Sequence, residues 1–135
     1  MYMYNVDTNY NSFRWLGAAI VVGILAGGIP YWPIPYNDIN MTESSLLVQW
    51  SLSVGAAALM ISALSPLGPF KSAVITGIGL PLAVFVRVIT DGFADPTSHN
   101  LWPLELVIAC VVAILPALIG SYVGFAARTS FRKKS

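Results

Sequence analysis

Four apolar runs, separated by short breaks rich in proline, glycine or small polar residues, set the pattern of this chain. The first occupies Phe13 to Ile29 and continues through Tyr31, Trp32 and Ile34. At 1.5 Å per residue its uninterrupted part covers about 25 Å, and the extension brings it to the roughly 30 Å of a bilayer's hydrocarbon core. The other runs cover about 45–65, 70–90 and 103–127, and each is long enough to cross a bilayer as a helix. The predicted fold is therefore all-α. A single domain is built as a bundle of four transmembrane helices, 13–34, 45–65, 70–90 and 103–127, followed by a basic tail, 128–135. Residues 1–12 are polar and tyrosine-rich without periodicity, and read as a tail leading to the membrane interface.

The breaks carry their own chemistry. Pro30, Pro33 and Pro35 each fix φ and lack a backbone donor, so the chain is expected to leave the helix at Pro30 and run extended along the interface. Trp15, Tyr31, Trp32, Tyr36 and Trp102 are expected to serve as interfacial anchors, each with an apolar ring and a polar tip. Asn40-Met41-Thr42 matches a glycosylation acceptor but reads more simply as a polar turn, and Thr42 to Ser45 supply hydroxyls and an acidic first turn for the second helix. Ser65 to Pro69 form a tight break. Gly77, Gly79 and Pro81 predict a kink in the third helix, and Pro116 lies inside the fourth.

Composition and charge narrow the class. With 56% hydrophobic and 10% charged residues and a mean hydropathy of +0.72, the chain lacks the polar surface of an ordinary water-soluble domain. The net charge of +1 conceals a segregation. An even number of spans places both ends on one side together with Arg14, Lys71, Arg128, Arg132, Lys133 and Lys134, against Arg87 alone at the other. The positive-inside rule then predicts cytoplasmic termini in a plasma or inner membrane, with Arg128, Arg132, Lys133 and Lys134 meeting lipid headgroups. Arg14 ahead of an apolar run, with Ala26-Gly27-Gly28 behind it, also fits a cleaved signal peptide, which would leave three spans. Charge this sparse and this clustered gives no nucleic-acid surface.

Three of the six acidic residues and the only histidine lie in the stretch from Arg87 to Glu105. Arg87 and Asp91 are one helical turn apart and can pair, with Gly92 then expected as a left-handed cap ending the helix. Asp95-Pro96 reads as an N-cap followed by proline at the first helical position. Because Gly92 and Pro96 interrupt the helix, Asp91, Asp95 and His99 are not expected to share a face, and no metal or cofactor is predicted. His99 is a candidate sensor or base, or a loop histidine bonded to a carboxylate or carbonyl. Trp102-Pro103-Leu104-Glu105 reads as the start of the fourth helix, with Glu105 expected to face Arg87 and bridge the third and fourth spans. Arg87, Asp91, Asp95, His99 and Glu105 together form a candidate polar or ion site, either a vestibule or a set of structural pins.

Three pairs of small residues at four-residue spacing, Gly23 and Gly27, Ala73 and Gly77, Gly120 and Gly124, are expected to mark close helix contacts within the chain, the last pair being the better candidate for a contact with another subunit. Cys110 stands alone in an apolar run and is expected to be buried and inert. No phosphate-binding glycine loop, zinc spacing or nucleophile elbow is present, so no catalytic residue is predicted. The reading that follows is a noncatalytic accessory or scaffold subunit of a larger membrane complex. Its alternative is an oligomeric small channel or transporter whose outer vestibule contains Arg87, Asp91, His99 and Glu105.

Overall fold

The computed structural model describes residues 6–40 and 43–133. Among these residues the regular structure is entirely helical: α1 (Val6–Tyr31), α2 (Ser44–Leu64), α3 (Pro69–Gly77), α4 (Gly79–Ala94) and α5 (Trp102–Arg132), with a short 3-10 turn at Tyr36–Asp38. Together they make four stretches long and apolar enough to cross a membrane, α3 and α4 counting as one. α1 begins at Val6, inside what the sequence reads as a tail. It also runs through Pro30 to Tyr31, because a proline in the last turn removes only its own N–H. The Trp32 amide still reaches the Gly28 carbonyl at 2.7 Å.

The expected kink is a break between α3 and α4 at Ile78. Its cause is Pro81, which has no N–H to give the Gly77 carbonyl one turn back. The amides of Ile78 and Leu82 keep their bonds, to Val74 at 3.0 Å and to Ile78 at 3.2 Å, so the two pieces stay nearly in line. At the N-terminus of α2, Glu43 occupies the cap position without a side-chain cap bond, and its carboxylate instead accepts the Ser45 hydroxyl at 2.6 Å. Asn40 is exposed, while Met41 and Thr42 of the acceptor motif lie outside the described residues.

α1 and α3–α4 run in one direction and α2 and α5 in the other, and the most extensive contact joins α2 to α5. Absent side chains make that contact possible. A Cβ on Gly120 would stand 2.1 Å from the Gly55 carbonyl oxygen, and one on Gly124 2.2 Å from that of Leu59. The Gly120 and Gly124 pair, the better candidate for a contact with another subunit, is therefore occupied by α2. Gly23 meets the Thr76 carbonyl in the same way, and Gly27 lies against Leu80. Ala73 is in the core, and Gly77 lies against Ala117.

The interior is filled by Tyr31, Trp50, Val54, Leu80 and Val84 together with a row of alanines on α5. The Trp50 indole N–H donates to the Gly27 carbonyl at 3.0 Å, tying α2 to α1. Facing outward are Val21, Leu25, Leu52, Val111, Leu115 and Ile119, all more than two-fifths exposed, a surface suited to hydrocarbon. Cys110, expected in the interior, is on this outward face. At the end opposite the prolines, the Arg128 guanidinium donates to the carbonyls of Ser65 and Leu67. Arg132 and Lys133 are exposed beyond it, and Lys134 lies outside the described residues.

Alanine normally stabilises an exposed helical position relative to glycine by about 0.5–1 kcal/mol. Gly17→Ala, where nothing lies within 4 Å, should therefore hold or raise the thermal midpoint in detergent. Gly120→Ala forces two backbones apart and should instead lower stability by about 1–3 kcal/mol. Equal midpoints for the two variants would disprove the close α2–α5 contact.

Candidate functional site

The polar segment from Arg87 to Glu105 folds, with the end of α1, into a closed ring of charged and hydroxyl groups. Its anchor is Arg87, 7% exposed near the end of α4. The bend after α1 contains Pro33 and Pro35, which leave it short of amide donors, and Arg87 supplies them. One guanidinium nitrogen donates to the Tyr31 carbonyl and the other to that of Ile34, while Nε donates to Asp91 Oδ2 at 3.1 Å. The guanidinium carbon also sits 4.5 Å from the centre of the Tyr31 ring.

His99 occupies the turn between α4 and α5 with φ of 55°, the one positive φ outside glycine among the described residues. The left-handed backbone turns its ring inward, where it is 2% exposed. Nε2 lies 2.8 Å from Asp91 Oδ2, and Nδ1 lies 2.9 Å from Glu105 Oε2 and 3.1 Å from Oε1. The backbone N–H of His99 donates to the Tyr36 hydroxyl at 2.7 Å, and the two rings are 4.5 Å apart. The Tyr31 hydroxyl faces Glu105 Oε2 at 3.4 Å, so the path from Arg87 through Asp91, His99 and Glu105 returns to the residue whose carbonyl Arg87 holds.

This geometry counts protons. A neutral imidazole has one N–H and one lone pair, yet both ring nitrogens here face carboxylate oxygens. For both contacts to be hydrogen bonds, Asp91, His99 and Glu105 must together hold one proton beyond that of a neutral ring flanked by two carboxylates. With it on the imidazole, Arg87 and His99 balance Asp91 and Glu105, and the buried ring is neutral. A net charge there would carry a large desolvation penalty.

Several residues lie elsewhere than the sequence suggests. Glu105 takes its bonds from His99 and Tyr31, and Arg87 reaches it only through Asp91 and His99 or through Tyr31. Gly92 is no left-handed cap: α4 continues to Ala94, and no described glycine has positive φ. Asp91 and His99, separated on any helical reckoning, meet because the chain folds back after Asp95. Asp95 itself is exposed and outside the ring. Its carboxylate accepts the Thr97 hydroxyl at 2.7 Å and the Thr97 amide at 2.9 Å, and these hold its carboxyl below the usual range.

Of the aromatic anchors, Tyr31 is wholly buried, packed edge-on against Trp50 at 5.4 Å. Tyr31 and Tyr36 are thus the site members that sequence reasoning missed. Their signal was their position on either side of the proline bend. Trp32 and Trp102 remain about two-fifths exposed, and the Trp32 indole N–H donates to the Ala83 carbonyl at 3.2 Å. Trp15 is half-buried on α1.

Beside the ring opens a cavity of about 620 Å³ whose wall includes Tyr36, Asn37, Asn40, Asn100, Leu104 and Glu105. Among the described residues no three histidine, cysteine or carboxylate side chains gather to hold a metal. The His99 nitrogens point to opposite sides of the ring and cannot converge with both carboxylates on one ion. No family model matches the chain, and comparison with characterised proteins and with solved structures finds no match either. The class is therefore defined by the fold itself: an all-helical bundle, among the described residues, with four stretches long and apolar enough to cross a membrane and a largely buried ionic ring at one end.

Removing Arg87 strips donors from two carbonyls and the charge partner from Asp91. Arg87→Met should lower stability by about 3 kcal/mol, measured as thermal or denaturant midpoint in detergent. Exchanging charges, Arg87→Glu with Glu105→Arg, should not restore what either single variant loses. Restoration would show that the two residues pair directly.

Proposed function

We propose that the chain is a four-span integral membrane protein with both termini in the cytoplasm, and that its outer face binds a small polar solute at a site linked to protonation. The membrane setting is supported by the four apolar crossings and their outward apolar faces. The orientation is supported by the gathering of Arg14, Lys71, Arg128, Arg132 and Lys133 toward one end. The site rests on a single observation: Glu105 belongs both to the ionic ring and to the cavity wall. A solute contacting Glu105 acts on the group that shares the ring's extra proton. This arrangement suits the outer vestibule of a small channel or transporter, with Arg87 and Asp91 fixing His99 and Glu105 in place.

A second reading, the accessory subunit, is favoured by an apolar recess of about 270 Å³ between α3 and α5, lined in part by Ala73, Gly77, Cys110, Ala113 and Ala117. Such a recess can receive side chains from a neighbouring helix. Native mass spectrometry from nanodiscs separates the readings, since a stoichiometric foreign subunit supports the accessory role and a homo-oligomer or monomer supports the vestibule.

In liposomes loaded with a pH-sensitive dye, the vestibule reading predicts a protein-dependent proton flux. Glu105→Gln should reduce that flux at least about tenfold, as expected for an intramembrane carboxyl on a proton path. Gly17→Ala should leave it unchanged. Equal flux through the native and Glu105→Gln proteins would remove Glu105 from the mechanism.

A further inference from the structure

The chemistry of the cavity wall restricts what it can hold. One part is polar, with the carboxamides of Asn37, Asn40 and Asn100 around the carboxylate of Glu105; the rest is apolar, contributed by Ile39, Leu101, Leu104 and Ile108. An anion would meet Glu105 directly and be repelled. A bare metal ion would find one carboxylate and no converging set of ligands. An organic ammonium ion satisfies both parts, because its N–H groups donate to carboxylate and carboxamide oxygens while its hydrocarbon lies on the apolar wall. The volume of about 620 Å³ is ample for such a molecule.

Glu105 is able to receive it. Its Oε1 has His99 Nδ1 as partner at 3.1 Å, whereas Oε2 is shared by the imidazole and the Tyr31 hydroxyl, so Oε1 retains a lone pair. The ring, however, is already neutral with its proton in place, and a positive charge added against Glu105 and His99, which are 8% and 2% exposed, is unfavourable unless another leaves. Of the groups facing His99 and Glu105, Arg87 from α4 is permanently charged and Asp91 is fixed by it. The Tyr31 hydroxyl from α1 and the Tyr36 hydroxyl from the turn after it are engaged as hydrogen-bond partners. Asp38 on that same turn is exposed. The charge that can leave is the imidazole proton.

We propose that the cavity binds a small organic ammonium ion in exchange for the proton shared by Asp91, His99 and Glu105. The Nδ1–H bond to Glu105 is lost as that proton passes to solvent, and an ammonium N–H bond to Glu105 replaces it. His99 keeps its Nε2–H on Asp91. One positive charge enters and one leaves, so the ring stays neutral. The assignment rests on the solute-site reading above and adds to it the class of solute and the stoichiometry of exchange.

The test uses the full chain in nanodiscs at neutral pH, titrated calorimetrically with benzylammonium, benzyl alcohol and benzoate. Running each titration in phosphate and in MOPS gives the protons released per ligand bound, because the buffers differ in ionisation enthalpy and neither is a simple organic ammonium ion. Benzylammonium should bind at least about tenfold more tightly than benzyl alcohol, as expected when a charged hydrogen bond is at stake, and should release up to one proton; benzoate should not bind. Ile108→Trp fills the cavity wall without altering a member of the ionic ring and should abolish binding while circular dichroism stays native. Equal binding of benzyl alcohol would overturn the ammonium assignment and leave a solute site standing. Binding of benzylammonium without proton release would overturn the exchange. If all three probes behave alike with the native protein and Ile108→Trp, both the assignment and the solute-site reading fail.

Discussion

The guanidinium of Arg87 is the constraint on which the outer half of the molecule depends. A bend with prolines at 30, 33 and 35 exposes carbonyls without enough amides to answer them, and in an apolar setting each unanswered carbonyl is costly. Arg87 donates to the Ile34 carbonyl and to that of Tyr31, which also takes the Ile34 amide at 3.2 Å, and, through Nε, positions Asp91. Asp91 then locates His99, and His99 locates Glu105. Even the roof of the cavity, from Tyr36 to Asn40, is tied back through the Tyr36 hydroxyl to the His99 amide. One cation buried at a helix end thus organises three separate segments of chain.

Elsewhere the bundle is held by a different device. Apolar side chains gain little by leaving lipid for protein, so close backbone approach has to provide contact. Gly55 with Gly120 and Gly23 with Gly79 bring helix pairs of like direction together, and Trp50 and Tyr31 pack edge-on toward the end that holds the ionic ring. The small residues keep the centre slim, and the aromatic pair and the ionic ring close the top.

Much of this architecture was legible in the sequence because it is imposed by simple lengths and missing atoms. A bilayer's thickness requires apolar runs of about twenty residues, and prolines and glycines declare where the ladder of amides is interrupted. The Arg87 and Asp91 contact could be read because it is local, one turn of helix. The His99 and Asp91 contact could not, since it depends on a left-handed backbone at a histidine, and Gly92 and Pro96 looked like reasons for separation. Tyr31 was ambiguous in principle: an apolar ring with a polar tip suits an interface as well as a core with one acceptor. Gly120 and Gly124 were equally silent about their partner, because a small-residue face looks the same whether its neighbour is in the same chain or another.

The 31 residues of α5 make a rod of about 46 Å, the longest of the four apolar stretches and longer than the roughly 30 Å of a bilayer's hydrocarbon core. Pro116 lies within it without ending it. Glu105 is in the first turn of this rod and Arg132 in the last, with Arg128 gripping the turn between α2 and α3 on the way. Some 40 Å of continuous helix thus connects the basic end to Glu105. The chain has in α5 a single rod with a cavity-lining carboxylate at one end and basic side chains at the other.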